Sequence, residues 1–266
     1  RVRKTAINKL IDQNLLVKVA MNREEDKDVR KEAAKKLTDQ SFLVKVAKKP
    51  DKRISINEKG LDYNALQAKS DELEKEEAEV RIEAVLRIED QAILAEIAKE
   101  KYDSPDVLKA VLNKLEDPRL LAEIAKSDPV YWVCVEIIKK ISDQKLLADI
   151  VKNGKSIDGR RKAINKLDDF VLLSDLAMND DSEDIREEAI MRLDDQSLLA
   201  EIAKNDKSSY VRLAAIKKLK DRNLLNHIST NDVDSEVRQV TDKILRDLIL
   251  LDKGLDHPAT DSEIQH

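Results

Sequence analysis

The stretch Asp195-Gln196-Ser197-Leu198-Leu199-Ala200-Glu201-Ile202-Ala203-Lys204 reads as one short helix. An Asp in the N-cap position offers a side-chain acceptor to the unpaired N–H groups of the first turn. Leu198, Leu199, Ile202 and Ala203 recur at i, i+1, i+4 and i+5, which places them on one face. Asn205-Asp206 ends that helix, Ser208-Ser209 leads out of the break, and Val211-Arg212-Leu213-Ala214-Ala215-Ile216-Lys217-Lys218-Leu219 forms a second. Its inward set is Val211, Ala215, Ile216 and Leu219. Isolated helices below about 12–15 residues are marginal in water, so each must bury its face against neighbours.

The same pattern recurs along the chain. With the last apolar residue of each second helix as anchor, the series is Leu10, Leu37, Gly60, Ile88, Leu115, Ile141, Leu167, Leu193, Leu219 and Leu245. Successive steps are 27, 23, 28 and 27 residues and then five of 26. A fixed period of this kind marks a tandem array whose units stack on one another. The expected fold is all-α: a right-handed α-α superhelix, or solenoid, of about ten short helical pairs over residues 1–252. A degenerate unit with an insertion spans 48–79, and the polar tail 253–266 is expected to be disordered.

Composition agrees with that class. Four Gly, five Pro and 3% aromatics in 266 residues are too few for a β-sandwich or barrel. The 54 acids and 49 bases give a net charge of −5, which speaks against a globally basic nucleic-acid protein. The single cysteine, Cys134, forms no intrachain disulfide and no multi-cysteine metal site. Three scattered His and four isolated Gly supply neither a metal cluster nor a phosphate loop, so no cofactor and no metal are expected. No apolar run approaches the ~20 residues of a membrane span, and the opening Arg1-Val2-Arg3-Lys4 is no signal peptide. A reducing, cytoplasmic setting is expected.

Three columns run through the array. Two residues past each anchor stands Asp: 12, 39, 62, 90, 117, 143, 169, 195, 221 and 247. Seven before the anchor stands Arg in eight units: Arg3, Arg30, Arg53, Arg81, Arg160, Arg186, Arg212 and Arg238. Helix capping by the Asp column, and hydrogen-bonded ladders between it and the Arg column, suffice to explain both. One before the anchor stands a base: Lys9, Lys36, Lys59, Arg87, Lys114, Lys140, Lys166, Arg192 and Lys218, broken only by Ile244. In the last turn of a helix a cation complements the dipole by about 0.3–1 kcal/mol; as a continuous stripe it would also suit an acidic peptide or a phosphate backbone.

Asp206-x4-Val211-Arg212 and Asp232-x4-Val237-Arg238, with the variant Asp180-x4-Ile185-Arg186, resemble the Asp…Val-Arg signature of HEAT repeats. The string Leu-Ala-x-Ile-Ala-Lys followed by Val-Arg-x-x-Ala also resembles the leucine-rich repeat variant. The resemblance covers residues 1 to 247, in units shorter than the usual 40 or so residues. It implies a right-handed superhelix with the second helices on the concave side, acting as a non-enzymatic protein-interaction scaffold for a protein or peptide partner. The alternatives it brings are nucleic-acid binding, glycosylase-like in the extreme, and, on fold analogy alone, a bilin lyase subunit.

Departures from the repeat are where function or strain is expected. Around Gly60, Pro50 and Ile54-Ser55-Ile56 precede the charged run Asp71–Glu77, expected to be a solvated helix leading into the next unit. In the centre the Arg column becomes Leu108 and Cys134, and Tyr102, Tyr131 and Trp132 appear beside it. Cys134 has no neighbouring His and makes a poor nucleophile; with Trp132 it is expected to fill core space that the Arg column leaves. The candidate partner-binding residues are Tyr102, Tyr131, Trp132, Lys114, Lys140, Lys166 and Arg192. Arg1 starts within a second helix, from which either a longer chain or self-association at that end is expected.

Overall fold

The computed structural model describes residues 2–48, 62–100, 104–127 and 130–252. Among these residues every regular element is a helix, and the chain falls into two compact units, Arg1–Gly159 and Arg160–His266. The division passes through one helix, Ile157–Ile164.

The first unit holds α1 Val2–Lys9, α2 Gln13–Met21, α3 Lys27–Lys36, α4 Gln40–Ala47, α5 Tyr63–Val85, α6 Gln91–Ala98, α7 Pro105–Lys114, α8 Pro118–Lys126, α9 Tyr131–Lys140 and α10 Gln144–Asn153, and opens α11 Ile157–Ile164. Consecutive helices pack as pairs: α2 with α3, α4 with α5, α6 with α7, α8 with α9. The second helices also line up, α1 against α3, α3 against α5, α5 against α7 and α7 against α9. The second unit repeats the plan with α12 Phe170–Asn179, α13 Glu183–Met191, α14 Gln196–Asn205, α15 Ser209–Ile216, α16 Arg222–Asn231 and α17 Ser235–Asp252. Here α13 packs beside α15 and α15 beside α17.

These boundaries follow from the sequence locally. Nine residues of the Asp column stand at N-caps, and each carboxylate accepts N–H bonds from the turn that follows, as Asp143 does from Lys145 at 2.8 Å and Leu146 at 3.2 Å. Asp247 is the exception: it lies inside α17, an 18-residue helix that runs through the position where the other units break. The core is the aliphatic set read from the repeat, with Leu37, Ile88, Leu115, Ile141, Leu167 and Leu193 fully buried.

The step through Gly60 resolves differently from the regular count. Arg53, Lys59 and Gly60 lie outside the described residues, and Asp62 caps α5, the second helix of the pair begun by α4. Since α3, α5 and α7 are successive neighbours, the anchors Leu37 and Ile88 belong to adjacent second helices. The charged run Asp71–Glu77 is helical, as expected, but its end is not freely solvated. Glu77 receives Arg30 at 2.7 Å, and Glu79 receives Lys31 at 3.0 Å and Lys27 at 3.3 Å. Glu83 stands 3.7 Å from Lys35. The acidic edge of α5 is thereby zipped onto the basic edge of α3.

Candidate functional site

The residue types with most chemical capacity are the charged columns, and the geometry assigns each a task. Arg186 lies 2% exposed; its Nε and Nη2 donate to the two oxygens of Asp206 at 2.8 and 2.9 Å, and Nη1 donates to the Asp180 carbonyl at 2.8 Å. Arg212 repeats this on Asp232, at 2.9 and 2.7 Å, and on the Asp206 carbonyl at 3.0 Å. Arg160 donates to Asp180. The sequence expectation is corrected here. The guanidinium ladder runs to the Asp of the Asp-x4-Val-Arg signature and not to the N-cap column, because a carboxylate already closing its own helix faces away from the core. The signature Asp also accepts the N–H two residues on, as Asp206 does from Ser208 at 2.8 Å, so one carboxylate orders the turn and neutralises the arginine of the preceding unit.

Burial works against ionisation of Asp232, yet its carboxyl is held below the usual value. The Arg212 hydrogen bond, the Asp234 N–H and the charges of Arg212 and Arg238 outweigh the lost hydration. Arg212 is correspondingly raised, first by its hydrogen bond to Asp232.

In the first unit, the column also reaches backbone carbonyls. Arg30 donates to the Ala20 carbonyl at 3.0 Å and to Glu77, and Arg81 to the Ala47 carbonyl at 2.8 Å. Where the column becomes Leu108 and Cys134, both are buried, at 2% and 0% exposed. The residue twenty after Cys134, which would be its carboxylate partner, is Gly154. Cys134 Sγ instead approaches the Ala125 carbonyl at 4.0 Å and lies 2.7 Å from where a Cβ on Gly159 would stand. Gly159 occupies a position that other units give to a buried Val or Ile, such as Val133, Ile185 and Val211. Arg, Asp and Val have been exchanged together for Cys, Gly and Gly, so Cys134 is core filler.

The basic column turns out to bridge neighbours as well as to follow its own helix dipole. Lys114 Nζ donates to the Leu86 carbonyl at 2.6 Å, Lys140 to those of Leu112 and Leu115, Arg192 to those of Asn165 and Leu167, and Lys218 to those of Ile190 and Met191. Lys36 does the same on Ile7 and Asn8. Each cation caps the carbonyl end of the second helix one unit back, where the partial negative charge of that helix collects. Lys166 stands half-buried at the equivalent place after α11.

A further column escaped the sequence reading. The glutamine after the capping Asp clamps the loop of the next unit in both directions. Gln91 Nε2 donates to the Lys114 carbonyl at 3.1 Å and its Oε1 accepts the Glu116 N–H at 2.8 Å; Gln13 and Gln196 repeat the arrangement. Only the recurrence of Gln at 13, 40, 91, 144 and 196 signals it in sequence.

With these columns engaged internally, what remains outward is the other face of the second helices. Its positions, nine, six, five and two before each anchor, are charged on most helices, for example Asp28, Lys31, Glu32 and Lys35 on α3. Two helices differ. On α9 the set is Trp132, Val135, Glu136 and Lys139, with Trp132 half-buried and the adjacent Tyr131 53% exposed. On α15 it is Tyr210, Leu213, Ala214 and Lys217, of which Tyr210 is 64% exposed while Leu213 and Ala214 are buried, and Met191 of neighbouring α13 is 61% exposed. Trp132, expected to fill core space, is only half-buried, and Tyr131 is exposed. Tyr102 lies outside the described residues. Tyr210 and Met191 were missed, although an aromatic in a column otherwise acidic at 28, 79, 106, 158, 184 and 236 was there to be read.

On the first-helix side a depression of about 230 Å³ is lined by residues of α4, α6 and α8, among them Val44, Ile93, Ala95 and Leu120, with Lys48, Glu96 and Lys99. Among the described residues no group of His, Cys, Asp or Glu is placed to hold a metal ion, no buried polar side-chain atom lacks a partner, and no helix is long and apolar enough to cross a membrane. Comparison with protein-family models, with curated proteins and with solved structures returns no match.

Proposed function

We propose that this chain is a non-enzymatic interaction scaffold, a solenoid of short HEAT-like repeats that presents the outward face of its second helices to a protein or peptide. One observation carries the reading. The charged columns are engaged in capping and inter-unit bonds, whereas the half-buried Trp132 of α9 and the exposed Tyr210 of α15 stand where neighbouring helices carry Asp or Glu. Exposed aromatic anchors set among polar neighbours are the usual carriers of interface energy. Lys114, Lys140 and Arg192 support such a surface by fixing the helices and not as free cations, which weakens the reading of the basic column as a phosphate grip. A reducing compartment suits the buried free thiol of Cys134.

Photo-cross-linking residues placed at Tyr131 and Met191 in the full chain, with Leu15 and Val171 on the first helices as controls, test this in lysate with and without nuclease. All four positions are exposed. Discrete nuclease-resistant protein adducts from 131 and 191 and none from the controls are expected. Adducts that vanish with nuclease, or an equal yield from all four positions, refute the scaffold reading.

A further inference from the structure

The exposed Tyr210 of α15 has a defined electrostatic border. Ser208 Oγ donates to Glu183 at 2.6 Å at one end, and Lys218 reaches the Met191 carbonyl at 2.9 Å at the other, so α13 and α15 lie side by side, one repeat apart. A hydrogen bond between Ser209 and Asp234 ties the start of α15 to that of α17 in the same way. Tyr210 therefore stands between Asp184 on α13 and Glu236 on α17, and Leu213 stands beside Glu187. Asp184, Glu187 and Glu236 are exposed, and among the described residues none of the three is in an ion pair. Of their basic neighbours, Arg161 on α11 is paired with Glu188 at 2.7 Å and also attracts Asp184 and Glu187 at longer range, Arg186 and Arg212 are buried on Asp206 and Asp232, Lys207 lies in the loop before α15, and Lys217 and Lys243 stand two turns further along the helices. In the first unit, Trp132 occupies the same position on α9 and has Asp106 on neighbouring α7.

We infer that the α13–α15–α17 face docks a basic amphipathic segment of a partner protein, a Lys or Arg side chain lying on the Tyr210 ring between Asp184 and Glu236 and an apolar side chain over Met191. The charge arrangement chooses this occupant. A cation over an aromatic ring is attracted by the ring quadrupole, and two flanking exposed carboxylates, neither in a direct ion pair, add to that attraction. An acidic or nucleic-acid ligand would meet the same carboxylates as repulsion. The inference rests on the scaffold reading and narrows it to one class of partner on one face.

The test is selection from a displayed library of 15-residue peptides with Leu at positions 1, 4, 5 and 8 of a helical pattern and Lys, Glu or Gln varied elsewhere, against the full chain. Enrichment of Lys is expected. Tyr210→Ala should weaken the selected peptides by about 2- to 30-fold, the range that 0.5–2 kcal/mol implies. Tyr210→Phe should hold within about threefold, and Asp184→Asn/Glu236→Gln should lower both affinity and its salt dependence. A circular-dichroism melt of each variant confirms that the fold survives. Enrichment of Glu, selection without charge bias, absence of any selected peptide, or indifference to Tyr210→Ala overturns the inference. The cross-linking result at Tyr131 and Met191 is read separately. Protein adducts there alongside a failed selection leave a scaffold with another class of partner.

Discussion

Removing the guanidinium of Arg186 while leaving Asp206 in place strands a carboxylate. That side chain is 7% exposed and would keep only the Ser208 N–H, at 2.8 Å, of its present partners. Breaking one partner of a buried ion pair typically costs about 3–5 kcal/mol, against a domain stability of about 5–15 kcal/mol. Arg186→Leu should therefore bring the second unit close to its unfolding threshold. Asp206→Asn should cost less, near the lower end of about 3 kcal/mol, because Arg186 still donates to the carbonyls of Asp180 and Asp181 at 2.8 and 3.3 Å. The double substitution removes both charges, and the chain tolerates an aliphatic residue in this column, where Leu108 is 2% exposed. It should recover at least about 2 kcal/mol of the summed loss, since buried pairs replaced together by apolar groups are often near neutral. Urea unfolding of the four proteins, with native-state hydrogen exchange at the α15 amides to isolate the second unit, measures the coupling. Additive losses would refute the claim that the ladder is a set of paired buried charges.

Gly159→Ala should destabilise by about 1–3 kcal/mol by overpacking, because the new Cβ would meet Cys134 Sγ at 2.7 Å. In a Cys134→Ala background, the same change should instead be neutral or favourable by up to about 1 kcal/mol, read by thermal melts of the four combinations. The carboxyl of Asp232 sits below its ordinary value, so the unfolded chain takes up the proton first. Its stabilising contribution is complete above about pH 4 and is lost as pH falls through the depressed folded-state value. Acid titration of unfolding free energy should show this slope, and Asp232→Asn should flatten it. Asp117→Ala removes the acceptor for Arg119 and Leu120 N–H groups and should lower stability by about 0.5–2 kcal/mol, detected as a reduced urea midpoint with unchanged m value. Raising salt to about 1 M should speed hydrogen exchange in α5 from residue 63 to 79 more than in α7, because the Glu77 and Glu79 zipper onto α3 is screened; equal effects on both helices would remove the zipper as the reason α5 lies on α3.

The all-helical class, the pairing of short helices and the capping role of the Asp column were legible because each is a local rule. Periodicity fixes a face, and an Asp before a helix has few other uses. The partners of the charged columns were not legible, because they are set by which residues one repeat apart come within reach, and a 26-residue period places several carboxylates at plausible distances from each arginine. Asp195 and Asp206 both lie near Arg186 in the repeat; only the course of the chain around the turn decides that Asp195 faces Ser197 and Leu198 while Asp206 faces the guanidinium. The basic column failed for a related reason. Read along one helix it is a dipole complement, and only the stacking of second helices shows that Lys218 reaches Ile190 and Met191.

The same logic separates the aromatics Trp132 and Tyr210. Trp132 stands beside a broken Arg column, which marks it in the sequence, whereas Tyr210 sits in a unit whose Arg212 and Asp232 are intact. A repeat that keeps its internal ladder is free to vary the one face the ladder does not use. Breaks in the lattice, as at Cys134 and Gly159, report how the units pack on each other. A substitution that leaves the lattice whole, as at the exposed Tyr210, owes nothing to that packing, and it is the stronger pointer to what the surface meets.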